Sequence, residues 1–340
     1  TYICNMKKIS FVIPCHNEEA NLPKLYDELD RFTRASYQVS VKETGTETGT
    51  THPVDMNVYD FEFLFVNDGS GDGTLAIMRE LRKKDSRVSV VNLSRNFGKE
   101  NAMLAGMDYA SGDALVIMDA DLQDPIEVVP EMIYWWEKGY DDVYGKRASR
   151  GQESAMRKIL SLSFYNMLKK MSDIDILPNV GDFRLLDRRA VRALTGLRET
   201  QRYMKGLYCW VGFEKKEVVF DRGDRENGKS SYKLAKLVNL AIEGITSYTT
   251  TPLRISTVAG IIVSLMAFGY LVYMFVKTLL WGEVVTGFPT LICVILFLGG
   301  MQLLALGIIG EYIGRIFNET KRRPPYIIES FNEERNSLTQ

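Results

Sequence analysis

ALVIMDADLQDP, residues 114–125, carries both the fold and the chemistry of this chain. Five apolar residues, Ala114 to Met118, make a run of strand length that ends abruptly in Asp119, Asp121 and Asp124. The same design recurs upstream. ISFVIPC at 9–15 runs into HNEE, FEFLFVN at 61–67 runs into DGSGDG, and VSVVNL at 88–93 precedes another polar turn. Helical patterns fill the gaps, over 18–35, 73–84 and 99–110. Strands alternating with helices of this length predict βαβ units, hence an α/β fold with a mostly parallel sheet covered on both faces. In such sheets ligands bind beyond the carboxyl ends of the strands, where the polar clusters fall.

Carboxylates two residues apart on an extended segment point to one side, so Asp119 and Asp121 can share a cation. A hard ion such as Mg²⁺ or Mn²⁺ takes oxygen ligands and keeps positions open for diphosphate oxygens. Bound there, it would neutralise a departing nucleoside diphosphate. The strand's carboxyl end and the following Gln123 strengthen this reading of a pair that alone is common in turns. Asp68 ends the second run, among Gly69, Gly71 and Gly73, and reads either as an acceptor for a base or ribose or as a turn with a helix cap. Asn17 and Glu18, after Pro14, carry the same two readings.

The 340 residues suffice for one large domain and an appendage. The formal net charge is −1, without the basic excess of a nucleic-acid binder. Cys4, Cys15, Cys209 and Cys293 are scattered, and with only 2 histidines they suggest neither a zinc site nor a disulfide scaffold, which fits a reducing compartment. Lys7 and Lys8 lead straight into the first strand, with no apolar run of signal type before them.

Residues 253–281 and 289–313 are almost wholly apolar. Each exceeds the roughly 20 residues that cross a hydrocarbon core of about 30 Å, which favours membrane spans over buried core helices. The linker 282–288 has no Lys or Arg, whereas Arg254 precedes the pair and Arg315, Lys321, Arg322 and Arg323 follow it. Lys277 is a minor counter-signal that can snorkel outward. The positive-inside rule then predicts a multi-pass protein of the inner (plasma) membrane with a cytosolic catalytic domain. Gly299, Gly300, Gly307, Gly310 and Gly314 would let helices approach closely, a composition suited to a homo-oligomer. Glu311 is placed to pair with Arg254 or Arg315.

Residues 39–57, rich in Thr and Gly, read as a flexible insertion without a catalytic role. Met156, Ile159, Leu160, Phe164, Met167, Leu168 and Met171 follow helical spacing, either as a core helix or as a basic helix lying on anionic lipid. A similar stretch at 233–252 is expected to be an interfacial amphipathic helix. The predicted organisation is a catalytic domain over 1–232, that helix, two spans at 253–281 and 289–313, and a cytosolic tail from 314 to 340.

PCHNEE (14–19), VNDGSGDGT (66–74), SRNFGKENAMLAG (94–106), DADLQDP (119–125), VGDFRLL (180–186), RENGKSSY (225–232) and LGIIGEYIGR (306–315) occur in a telling order. In this the chain resembles family-2 glycosyltransferases of the polyprenyl-phosphate type, the group of bactoprenol glucosyltransferases and dolichol-phosphate mannose synthases. The resemblance implies a GT-A fold, inverting transfer and a divalent metal. It assigns Pro14, Asn17, Glu18 and Asp68 to the nucleotide, Asp119 to nucleotide and metal, and Asp121 and Gln123 to the metal. Asp182 matches the proposed catalytic base, and Arg225, Lys229, Ser230 and Tyr232 match a loop over donor and lipid phosphate.

A phosphate monoester has a second pKa of about 6 and needs little deprotonation at neutral pH. Asp182 therefore has a second reading, orienting the acceptor or holding Arg184. Arg202, Lys205, Arg222, Arg225 and Lys229 are candidates to offset the charge of a lipid phosphate. The expected activity moves a hexose from a UDP-sugar to undecaprenyl or another polyprenyl phosphate, glucose being favoured over N-acetylglucosamine. A processive synthase would carry QxxRW, and Gln201 is followed instead by Arg202, Tyr203, Met204 and Lys205. A non-catalytic glycolipid binder would have no use for the acidic site.

Overall fold

The computed structural model describes residues 6–41, 50–148, 180–200, 202–220, 251–281 and 287–335. The described residues up to 220 and from 324 onward form one compact unit, and 251–323 belong to a second. The anticipated helix over 156–171, the interfacial segment up to 250, and Arg222, Arg225, Lys229, Ser230 and Tyr232 lie outside the described residues.

The first unit opens with β1 (Lys7–Cys15), α1 (Leu22–Thr33), β2 (Ser36–Val41), β3 (Thr50–Asp55), β4 (Tyr59–Asn67), α2 (Thr74–Lys84), β5 (Val88–Leu93) and α3 (Lys99–Tyr109). It continues with β6 (Ala114–Ile117), α4 (Val129–Glu137), β7 (Asp142–Arg147), β8 (Val180–Asp187), α5 (Arg188–Gly196), α6 (Met204–Trp210) and β9 (Lys215–Phe220). The second unit supplies α7 (Thr251–Trp281) and α8 (Phe288–Thr320), after which β10 (Ile328–Phe331) and β11 (Glu334–Arg335) return to the first.

The main sheet runs β11-β10-β5-β4-β1-β6-β8-β7-β9. Its centre, β5-β4-β1-β6, is parallel throughout, as the sequence predicts. β8 and β10 run antiparallel on either flank, completing the GT-A arrangement. Alternation along the central strands separates two cores. Ile9, Phe11 and Ile13 with Phe61, Phe63 and Phe65 face α1, α2 and α4, whereas Val12, Leu64 and Val66 face α3, α5 and α6. Phe11 and Phe32 meet edge to face, ring centres 5.8 Å apart, tying α1 to the sheet.

Register decides where the chemistry can sit. Cys15 pairs with Asn67 and Val12 with Ile117, so the turns that follow β1, β4 and β6 emerge side by side.

Two expectations are corrected. The stretch read as a flexible insertion contains an antiparallel hairpin of β2 and β3. Val39, Val41 and Val54 are buried against the core on the α4 side, and His52 stacks on Tyr134 at 4.8 Å. The tail is not merely a tail: Ile328–Phe331 extends the sheet along β5, with Asn332 Oδ1 accepting from Val90 N at 2.9 Å.

In the second unit α7 has 31 residues and α8 has 33, with large apolar side chains such as Leu265, Phe268 and Leu303 turned outward. Among the described residues, Phe297–Thr320 is long and apolar enough to cross a membrane, with mean hydropathy 1.4, and Ile255–Tyr270 is a shorter apolar stretch. Helix α8 outlasts the expected end at 313, and Arg315 pairs with Glu311 one turn earlier at 3.3 Å.

Candidate active site

The turns after β1, β4 and β6 enclose a cavity of about 310 Å³. Pro14, Cys15, His16, Glu18, Asp68, Asn96, Gly98, Lys99, Asp119 and Asp121 line it. Five of the residues singled out in the sequence, Pro14, Glu18, Asp68, Asp119 and Asp121, therefore meet in one cleft. Asn17 is not on its wall but shapes it. With φ of 59° it adopts the left-handed conformation that asparagine tolerates, and its Oδ1 accepts from Gly71 N at 2.8 Å, tying the first turn to the second.

Asp68 is 3% exposed and its carboxylate accepts from Phe97 N at 2.7 Å and Gly98 N at 3.0 Å. It acts as a bracket that fixes the segment before α3. Gly69 makes this possible: at φ +60° a Cβ would lie 2.4 Å from Asn96 N, so only glycine lets the two turns pack. His16 Nδ1, 2.9 Å from the Asp68 carbonyl oxygen, and Asn96 complete this wall.

The DADLQDP turn is strained where it matters. Leu122 has φ of 59°, a conformation that costs a leucine about 1–2 kcal/mol. Asp121 Oδ1 accepting from Gln123 N at 3.2 Å and Asp124 Oδ2 accepting from Asp119 N at 3.1 Å hold it. Burial pushes the Asp124 carboxyl up to about 6, and the adjacent Asp119 pushes the same way. Burial also raises Glu18; the Asn21 amide draws it back, and Asp121 and Asp119 raise it again. Negative charge is in excess on this side of the cleft.

That excess bears on a metal. Among the described residues no three His, Cys, Asp or Glu side chains are grouped to enclose an ion. The donors here are instead two carboxylates and an amide, and Gln123 Oε1 is buried with no hydrogen-bond partner among the described residues. A Mg²⁺-type ion commonly uses one or two carboxylates and takes its other ligands from substrate phosphates and water, so the set fits.

Asp182, near the start of β8, comes from the strand that pairs antiparallel with β6. Its Oδ2 lies 2.7 Å from Lys99 Nζ, which also reaches Asp119 Oδ1 at 2.6 Å. Burial acts to raise the Asp182 carboxyl, but Lys99, with Lys205 and Arg184, holds it below its usual value. The other oxygen, Oδ1, is buried with no hydrogen-bond partner among the described residues. Arg184 is not held by Asp182: it forms a buried pair with Asp142 at 2.9 Å and covers the Tyr208 ring at 3.5 Å.

The cation cluster needs correction at Arg202. Arg202 is 8% exposed, and its guanidinium donates to the Leu197 and Leu194 carbonyl oxygens and to Met204 Sδ. It is committed to the end of α5 rather than offered to a phosphate. Lys205, in the first turn of α6, does stand where it acts on Asp182 and Glu100.

Sequence reasoning passed over Lys99 and Glu100, although both lie in a quoted motif. The missed signal is lysine in the first turn of a helix, where the dipole disfavours a cation and a partner is needed. Glu100 accepts from Met204 N at 2.8 Å, and burial, then Asp182, push its carboxyl up to about 7.

Residues 10–195 match Glycosyl transferase family 2, and residues 251–316 match the GtrB C-terminal hairpin. The chain belongs to glycosyltransferase family 2. Its similarity to named members of the family is nearly end to end. The bactoprenol glucosyl transferase of Shigella phage SfV is 42% identical over 323 residues, covering 95% of this chain and 98% of that protein. The prophage bactoprenol glucosyl transferase homolog of Escherichia coli (strain K12) is 41% identical over 322 residues, covering 95% and 98%. This glycosyltransferase thus joins a GT-A unit to a membrane-associated hairpin.

Proposed function

We propose that the chain transfers a hexose, glucose in preference to N-acetylglucosamine, from its UDP derivative to a polyprenyl phosphate such as undecaprenyl phosphate. The observation that carries this reading is one cleft: Asp68, Asp119 and Asp121 line it, and Lys99 joins it to Asp182. Similarity to bactoprenol glucosyl transferases over nearly the whole chain supports the choice of acceptor and of sugar. The α7–α8 hairpin supports a protein of the inner membrane whose first unit faces the cytosol, where nucleotide sugars are made.

The residues divide the task. Asp68 brackets the Phe97–Gly98 turn and so shapes the wall for the nucleotide, with Pro14, Asn17 and Glu18 beside it. Asp119, Asp121 and Gln123 would hold Mg²⁺ or Mn²⁺, which when bound screens the diphosphate charge as UDP departs. Asp182 stays ionised and holds the Lys99 ammonium beside Asp119. The acceptor phosphate is largely a dianion and attacks unaided; Lys205 and Lys99 offset its repulsion from Asp182. The anomeric carbon bonds to a lipid-phosphate oxygen as its bond to the UDP oxygen breaks, so one displacement inverts the centre. Arg225, Lys229, Ser230 and Tyr232 belong to this proposal as residues for donor and lipid phosphate, and Arg222 as a cation that offsets the phosphate charge.

The test offers the full chain undecaprenyl phosphate with UDP-glucose, UDP-N-acetylglucosamine and other sugar nucleotides, and weighs the lipid product. A lipid heavier by one hexose, released in step with UDP, is expected. Failure to glycosylate the lipid with every donor would overturn the reading.

A further inference from the structure

Lys99 contacts both Asp119, a proposed metal ligand, and Asp182. Its ammonium lies 2.6 Å from Asp119 and 2.7 Å from Asp182. These carboxylates come from different strands, one leaving β6 and one entering β8, and would repel each other without a cation between them. Lys99 is itself placed by the bracket described above, since Gly98, immediately before it, donates to Asp68. Yet the side chain is 43% exposed and lines the cleft, so the ammonium can move without unpacking a core.

We infer that Lys99 is an exchangeable counter-charge. While no donor is bound, it neutralises Asp119 and Asp182 together. When a sugar diphosphate and its divalent cation engage Asp119, Lys99 releases that carboxylate, turns toward the diphosphate oxygens and keeps Asp182 in place. The inference rests on the sugar-transfer reading. Its physical basis is competition: an ammonium in close contact with Asp119 weakens that carboxylate as a ligand, and two cations beside one carboxylate repel. Lys99 is therefore a positioning residue with two opposed effects, hindering metal binding before the donor arrives and aiding transfer afterwards.

That opposition gives the test. Binding of Mn²⁺ alone to the full chain in detergent is measured by the loss of the free-ion electron-spin-resonance signal, for wild type, Lys99→Met and Lys99→Arg, followed by kcat and KM for UDP-glucose. Lys99→Met is expected to bind Mn²⁺ about fivefold tighter, since a competing cation is gone, yet to turn over about 100-fold more slowly. Lys99→Arg keeps the charge and should hold the Mn²⁺ Kd within about twofold of wild type. A merely structural lysine would lower melting temperature and Mn²⁺ affinity together. Unchanged or weaker Mn²⁺ binding in folded Lys99→Met overturns the inference, and Lys99→Gln gives the same comparison should the methionine variant not fold. A wild type that transfers sugar while these variants fail the pattern leaves the reaction standing and removes only the role of Lys99. A wild type that neither binds Mn²⁺ nor transfers sugar removes both.

Discussion

Arg184 and Asp142 form an ion pair 2.9 Å long with each side chain only 3% exposed. Burial raises the Asp142 carboxyl even beside this guanidinium, so the pair spans strands β7 and β8 at a real desolvation cost. Breaking it from one side strands the other charge. Arg184→Met should lower stability by about 3–5 kcal/mol, read by thermal unfolding of the full chain, whereas Arg184→Met with Asp142→Leu should recover most of the loss.

Arg202 and Lys205 are separated by three positions but serve different ends. Arg202→Met should reduce thermal stability by about 1–3 kcal/mol, because carbonyl oxygens at the end of α5 lose their donor, while KM for the lipid phosphate stays within about twofold. Lys205→Met should do the reverse, raising that KM by about tenfold with little change in melting temperature. Equal effects on acceptor KM would return Arg202 to the phosphate-facing cluster.

Glu100 makes stability pH-dependent in a definite direction. Its carboxyl is raised to about 7 in the folded chain, from about 4.5 when unfolded, so the fold binds the proton more tightly. The stabilisation is complete below the unfolded value and is lost as pH rises through the folded one. Melting temperature should therefore carry a downward component between about pH 4.5 and 7 that Glu100→Gln removes, its amide oxygen still accepting from Met204 N. An unaltered pH profile in that variant would contradict the assignment.

Asp121→Ala should cut sugar transfer by at least about 100-fold, while the protein still partitions into membranes and melts within a few degrees of wild type. The carboxylate lines the cleft and caps the Leu122 turn through Gln123 N, so its removal tests ligand and turn together. Asp121→Asn, which can keep the turn bond, should be nearly as inactive; wild-type turnover in either variant would exclude Asp121 as a metal ligand.

The central strands were legible because each apolar run stops at a polar turn, and burial on two faces leaves little other way to fold Ile9 to Cys15 or Ala114 to Met118. The hairpin was not. Pro53 interrupts its second strand, and only Val39, Val41 and Val54 mark the buried side, too sparse an alternation to register. Arg202 was misjudged because a cation in sequence does not reveal whether carbonyl oxygens or solvent will surround it. Ile328–Phe331 escaped for another reason: four residues after a long apolar helix resemble a tail, and their partner β5 lies far back in the chain. Such non-local pairing leaves no periodic trace.

The return of β10 has a practical outcome for anyone preparing the enzyme. The gene encodes both long helices before the piece that finishes the sheet, so synthesis must run past them before β5 gains its neighbour. A soluble fragment stopped at residue 250 would leave β5 with a bare row of amides and carbonyls, an invitation to strand exchange and precipitation. A better soluble version would splice residues 324–335 back onto the fragment through a glycine-rich tether.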